Sequence, residues 1–251
     1  MNFDGQRGER VVRVWAQVGR QSRGAPVSVA HVCAAAVVGV GVDGAGVTVM
    51  ASPTVRDTVH ATDRVAGELE EWQLTFGEGP CLDAFTGGGP VLVVDLRAPE
   101  SAARWPVFAP AALDSGARAV FALPLQVGAI RVGVLDLYRT RAGGLSPHEL
   151  ADALAFADAA GMLLLDAGAG TQPDTADLAW QRDDPTAHQA QVHQATGMIL
   201  VQLGISAEAA FARLRAYAYA HDRRLGDLAR DVVERRLRFP PDPPPGGPDE
   251  P

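Results

Sequence analysis

Two kinds of apolar pattern run along this chain. From residue 25 to 167, short β-branched runs alternate with stretches whose apolar positions recur every three to four residues; after residue 185 only the second kind remains. Ser28–Ala36 reads as a short helix. Val37–Val42 and Val47–Ala51 read as strands joined by a hairpin turn at Asp43-Gly44, since those residue types tolerate positive φ. Thr54–His60 adds an edge-like strand. Ala61–Leu74 follows as a helix, with Thr62 as N-cap and Val65, Leu69 and Trp72 on one stripe. The loop Phe76-Gly77-Glu78-Gly79-Pro80-Cys81-Leu82 leads into a short helix ending at Phe85, and Pro90–Asp95 reads as a strand. Trp105–Ser115 is helical and Gly116 stops it. Ala119–Gln126 and Ile130–Tyr138 form a strand pair that turns at Gly128. Ser146, Pro147 and Glu149 open a helix running to about Leu165, with a cap, a proline at the first position and a capping-box glutamate. Together these predict an antiparallel sheet with helices on one side, an α+β arrangement.

The C-terminal pattern is all-helical. Asp184-Pro185 starts a helix whose Val192, Ala195, Ile199 and Leu203 make one stripe, ended by Gly204. Ser206 opens a second helix with Ala210, Phe211, Leu214 and Ala218 inward. A turn at His221-Asp222-Arg223-Arg224 leads to a third, with Leu225, Leu228, Val232 and Val233 inward. Three helices of roughly 15 residues make a small core, so dimerisation or support from the first helix is expected. The boundaries follow from composition. Residues 1–24 read as an N-terminal helix or extension, and 25–167 as the sheet unit. The small-residue run from Ala167 to Pro173 opens a linker over 168–184. Residues 185–239 are the three-helix unit, and the proline-rich 240–251 a disordered tail.

Composition narrows the chemistry. The chain is 47% hydrophobic and 21% charged, which suits a globular protein. It has no lysine, so P-loop nucleotide hydrolysis and Schiff-base catalysis are excluded. Two cysteines, Cys33 and Cys81, make neither a disulfide framework nor a structural zinc site. The polar Met1–Arg10 segment is no secretory signal, and the apolar stretch Val27–Val42 falls short of a membrane span. A soluble, cytoplasmic protein is expected. Charge is uneven: Ala210–Phe239 carries eight arginines against four acids, a net +4, which leaves −12 on the rest of a chain of net charge −8. That asymmetry suits a polyanion partner or a solvated helix face.

Catalytic motifs are thin. Gly39-Val40-Gly41-Val42-Asp43-Gly44 spells a dinucleotide fingerprint, but a strand follows it where that motif needs a helix. His188 and His193 are five apart, ~140° around a helix, and do not pair for a metal. No HExxH, GxSxG or paired-carboxylate constellation is present, so no catalytic residue and no metal are assigned. Cys81 precedes a short helix and reads as a small buried hydrophobe or a reactive thiol. Trp72, Phe76, Cys81, Phe85, Trp105 and Phe121 could line an apolar pocket for a small-molecule signal, or simply pack the core. Arginines interleaved with Tyr217 and Tyr219 suit RNA loops, where guanidinium groups fork phosphates and rings stack on unpaired bases.

The residues then resemble two families. Gln194-Ala195-Thr196-Gly197-Met198-Ile199-Leu200, Gly204-Ile205-Ser206, Ala210-Phe211, Leu214-Arg215, Ala218 and Leu225–Ala229 resemble an ANTAR domain over about 186–239. The Gly77–Cys81 loop, the Val91–Asp95 strand and the Phe121–Tyr138 strand pair resemble a GAF domain. The resemblance implies a GAF sensory domain modulating an RNA-binding antitermination domain that holds hairpin pairs in nascent transcripts, acting as a homodimer. Ala195, Thr196, Gly197, Arg213, Arg215, Ala218, Tyr219, Arg223 and Arg224 are then the expected RNA-binding set. The GAF ligand does not transfer: the cyclic-nucleotide signature is absent and Leu82 stands where bilin-binding members often have His. Thr196 and Gly226 stand where the family often has a basic residue. An alternative is therefore a module acting only through protein–protein contact or dimerisation, with RNA binding lost. Thiol-based reductase chemistry is disfavoured because Cys33 lies in an apolar run.

Overall fold

In the computed structural model the structure describes residues 3–52, 56–128, 130–169, 185–221 and 223–240, and the chain divides into two compact units, Met1–Thr186 and Ala187–Pro251. Of the expected linker over 168–184 and tail over 240–251, residues 170–184 and 241–251 lie outside the described residues.

The first unit opens with two helices, α1 (Phe3–Ser22) and α2 (Val29–Val40). Ser28 caps α2, its backbone N–H donating to His31 Nδ1 at 3.1 Å. The helix runs on to Val40 and stops at Gly41, whose φ of 71° is left-handed. This corrects the expected Val37–Val42 strand and the hairpin at Asp43-Gly44. A long valine–alanine run reads equally as buried helix or strand, and burial of Val32, Cys33, Ala36 and Val40 on one face decides for helix.

Five strands follow in an antiparallel sheet of order β2-β1-β5-β4-β3. These are β1 (Gly44–Met50), β2 (Arg56–Ala61), β3 (Val91–Val93), β4 (Ala119–Val127) and β5 (Ile130–Arg139). Between them lie α3 (Arg64–Phe76), α4 (Pro80–Gly87), α5 (Pro99–Arg104) and α6 (Phe108–Ser115), and α7 (Pro147–Ala169) closes the unit. Asp63, not Thr62, caps α3 by accepting the Ala66 N–H at 3.0 Å. Ser146 and Glu149 form the expected capping box on α7 (3.2 and 2.6 Å), and α7 continues to Ala169, into the small-residue run that reads as linker.

Helices cover both sheet faces, not one. The period of two sends Ala45, Val47, Phe121, Leu123, Leu135 and Leu137 toward α1, α2 and α7. Their neighbours Val120, Ala122, Val134 and Tyr138 face the opposite way, toward α3, α4 and α6. The first layer is tied by one carboxylate. Asp152 on α7 accepts from Arg10 (2.8 Å) and Arg13 (2.6 Å) of α1 and is itself buried. Asp152→Ala is expected to cost about 1–3 kcal/mol in urea unfolding. That is less than the ~3–5 of a wholly buried pair, because both arginines keep contact with water.

The second unit holds all but the first two residues of α8 (Pro185–Leu203), with α9 (Ala207–Ala220) and α10 (Leu225–Val233). Val192, Ala195 and Ile199 of α8, Ala210, Leu214 and Ala218 of α9, and Leu225, Leu228 and Val232 of α10 are buried, as the stripes predict. Val233, expected inward, is only half-buried. Ser206 caps α9, accepting the Ala209 N–H at 3.1 Å.

Candidate functional site

On the face of the sheet covered by α3 and α4, polar side chains are buried in an otherwise apolar layer. Glu70 of α3 (5% exposed) and Asp136 of β5 (4% exposed) lie with Cys81 of α4, their donor atoms within 4.8 Å of one another. Thr48 Oγ1 donates to Glu70 Oε2 at 2.8 Å. Gln73 Nε2 donates to Asp136 Oδ2 at 3.0 Å, and Gln73 Oε1 accepts the Cys81 N–H at 2.7 Å. The buried Arg56 of β2 donates to the Gln73 carbonyl at 2.5 Å.

The loop between α3 and α4 is shaped for this. Gly79 has φ of 133°, and a Cβ there would lie 2.6 Å from Gln73 Oε1, so only glycine permits the contact. The neighbouring Glu78 accepts the Val107 and Phe108 N–H groups at 2.7 and 2.8 Å, placing a carboxylate on the first turn of α6. Burial pushes the Glu70 carboxyl well above the usual carboxylate range, and the nearby Asp136 pushes it the same way. Burial raises Asp136 as well. The Cys81 thiol is pushed well up, first by burial and then by Asp136 and Glu70.

In the helical unit, α9 carries the aromatic and basic residues on the two flanks of its buried stripe. Arg215 and Tyr219 stand one turn apart on one flank, Arg213 and Tyr217 on the other. Tyr219 is 61% exposed. The Arg215 guanidinium sits 5.8 Å from the Phe211 ring centre, and partial burial lowers its pKa. Tyr217 stacks on His221 at 3.8 Å and meets Phe239 edge-on. Arg224 is exposed at the start of α10. Arg223 donates to Asp231 at 2.7 Å, as does Arg236 at 2.7 Å, and these bonds hold Asp231 below the usual carboxylate range.

A GAF domain matches residues 26–164, more than half of the chain. The chain belongs to the GAF domain family. An ANTAR domain follows over residues 186–233, so the order is GAF then ANTAR, sensory and regulatory domains both. Among curated proteins none matches the chain. Similar solved structures include the GAF domain of a phosphoenolpyruvate-protein phosphotransferase from Coxiella burnetii. It is 13% identical, with 64% of this chain and 96% of that one covered, at TM-score 0.47. The GAF domain of the cyanobacteriochrome TePixJ is 16% identical, with 57% and 96% covered, at TM-score 0.41.

The aromatic set assigned to a pocket is split within the GAF domain. Trp72 and Phe76 stack at 5.3 Å and pack with Trp105, Phe108 and α6, while Phe85 packs beside Cys81. Phe121 is on the other face of the sheet, fully buried against α1, α2 and α7, because the strand period sends odd positions of β4 there. The polar residues that do converge, Thr48, Arg56, Glu70, Gln73 and Asp136, were not singled out in the sequence. Their signal is a carboxylate between Leu135 and Leu137 in β5, and a second on the Ala66–Gln73 side of α3.

In the ANTAR domain, Ala195 and Ala218 are fully buried and act through packing. Gly197 is exposed and Thr196 half-buried, its hydroxyl donating to the Val192 carbonyl at 2.7 Å. Gly226 is buried in the first turn of α10, so a long cation there would need different packing.

Neither thiol has the environment of a reactive one. Burial pushes Cys33 up to about 12, and Cys81 is raised by the same cause. Both are expected to resist maleimide in the folded chain. Their labelling should show no rise through about pH 8.5, where an ordinary thiol ionises, and both should label at once in guanidinium. Rapid native labelling of Cys81, measured by mass spectrometry, would reinstate the reactive-thiol reading.

Proposed function

We propose that this chain is an RNA-binding transcription antitermination regulator whose GAF domain modulates the ANTAR output. The observation that carries the reading is the flank of α9 in the ANTAR-matching region. Arg215 and the exposed Tyr219 stand one turn apart there, and Arg224 is exposed at the next helix start. A guanidinium beside an outward ring suits a phosphate next to an unstacked base, the chemistry of an RNA loop. Arg213 and Arg223 enlarge the positive field. A homodimer is the working assembly, and a small-molecule signal acting on the GAF domain is the input. The test is filter binding of the full chain to RNA with paired hairpin loops at several salt concentrations. Salt-sensitive binding that prefers loops over duplex supports the reading; binding to neither defeats it.

A second reading is favoured by specific contacts. Asp231 engages both Arg223 and Arg236, and Asp227 engages Arg230 at 3.4 Å, which reduces the positive field. Gly197, Met198, Val201, Val232 and Leu237 line a groove of about 640 Å³ in the same unit, and Val201 is 79% exposed. Val201→Asp puts a charge into that groove and should abolish self-association in sedimentation on either reading; a module that only dimerises shows no RNA retention in filter binding even as wild type, whereas a regulator of RNA shows retention that falls with the dimer.

A further inference from the structure

We propose that Glu70, Cys81 and Asp136 form a binding site for one divalent transition-metal ion of the zinc or ferrous class inside the GAF domain. The three donor atoms come from α3, α4 and β5 and lie within 4.8 Å of one another. An ion placed centrally among them lies within ~2.8 Å of each, so closing to the ~2.0–2.3 Å of Zn–O and Zn–S bonds takes side-chain shifts of about half an ångström.

The unmet acceptors of the cluster point to a cation. Glu70 Oε1 and Asp136 Oδ1 are wholly buried and take no donor from outside the cluster among the described residues; the two carboxyl groups and the Cys81 thiol face one another. Each has its other oxygen already held, by Thr48 and Gln73, which orients the pair. Room is kept for Glu70 Oε1 by Gly46, where a Cβ would come within 2.5 Å of that oxygen. The donors also come from three different elements of one closed layer, so a single ion would tie α3, α4 and β5 together.

The donor set then chooses the metal. A thiolate selects zinc or iron over magnesium and calcium, and two carboxylates suit a borderline ion better than a soft monovalent one. Coordination by Cys81 releases its thiol proton to solvent. Three protein donors leave a further coordination position for water or a small ligand.

The experiment is anaerobic titration of the chelator-stripped full chain with Co²⁺ and Zn²⁺. The expected result is one Co²⁺ per chain after gel filtration, with a sulfur-to-cobalt charge-transfer band in the near ultraviolet, and a Zn²⁺-dependent rise in melting temperature. Cys81→Ser should abolish the band. Glu70→Gln and Asp136→Asn should each weaken binding at least as much as the ~10–100-fold that loss of an outer partner costs. Failure of the wild-type chain to retain cobalt, or a charge-transfer band that persists in Cys81→Ser, would overturn the proposal whether or not a variant folds poorly. RNA binding is not read here, so the metal site and the proposed output stand or fall separately.

Discussion

Phe121→Ala is expected to destabilise the GAF domain by about 3–5 kcal/mol, a large share of the ~5–15 kcal/mol that holds a domain together. The ring is fully buried between β4 and the layer of α1, α2 and α7, so truncation removes its transfer energy and leaves a cavity that packed helices fill only in part. It also removes the partner of Arg139, whose guanidinium carbon sits 5.7 Å from the ring centre. Arg139 donates to Glu149 Oε1 at 2.8 Å and to the Gly144 carbonyl at 3.0 Å, so the loss reaches the start of α7. At roughly 2–4 °C per kcal/mol, the first calorimetric transition should fall by about 6–20 °C. Trp72→Ala, at a partly buried ring on the other face, should cost less. A transition unmoved by Phe121→Ala would mean that the ring lines an open pocket after all and that the two-faced sheet is wrong.

That contrast shows what the chain's pattern could and could not reveal. β4 and β5 were legible because alternation and the Gly128 turn agree, and α7 because Ser146, Pro147 and Glu149 all mark one start. Val37–Val42 was not, because a six-residue valine-rich run carries no period that separates helix from strand; only contact with α1 and α7 makes it helix. Cys81 of the buried cluster stands out in the sequence, and its partners do not. Glu70 and Asp136 are far apart in sequence, and a lone carboxylate in an apolar strand announces burial without naming what it meets. Phe121 was grouped with Trp72 because aromatics cluster in sequence, whereas the two faces of one sheet separate them. In the ANTAR domain the stripes gave the core directly, but ion pairing is set by side-chain direction, and Asp231 between Arg223 and Arg236 has no signature in spacing alone.

Those pairs decide what arginine substitutions should do. Arg224→Ala is expected to weaken binding to a paired-loop RNA about 10–100-fold, the range of one lost charge-assisted contact, and to flatten the log–log salt slope by about 0.7–0.9. Arg223→Ala removes a guanidinium that Asp231 holds at 2.7 Å and leaves that carboxylate to Arg236 alone, so part of its loss is offset within the domain. The double variant should therefore fall short of the sum of two independent contacts. Tyr219→Ala should weaken binding by about 1–3 kcal/mol of stacking with the salt slope unchanged, and Tyr219→Phe should keep most of it. Thr196→Lys tests the departure at α8 from the other side. Its half-buried hydroxyl bonds only its own helix, so a lysine can extend to solvent and should raise both affinity and slope by one phosphate contact. Electrophoretic mobility shifts across a salt series read all six variants. Equal small losses for every arginine with no response to Tyr219→Ala would mean a diffuse field without base stacking, and the loop-binding proposal would give way to the dimerising module.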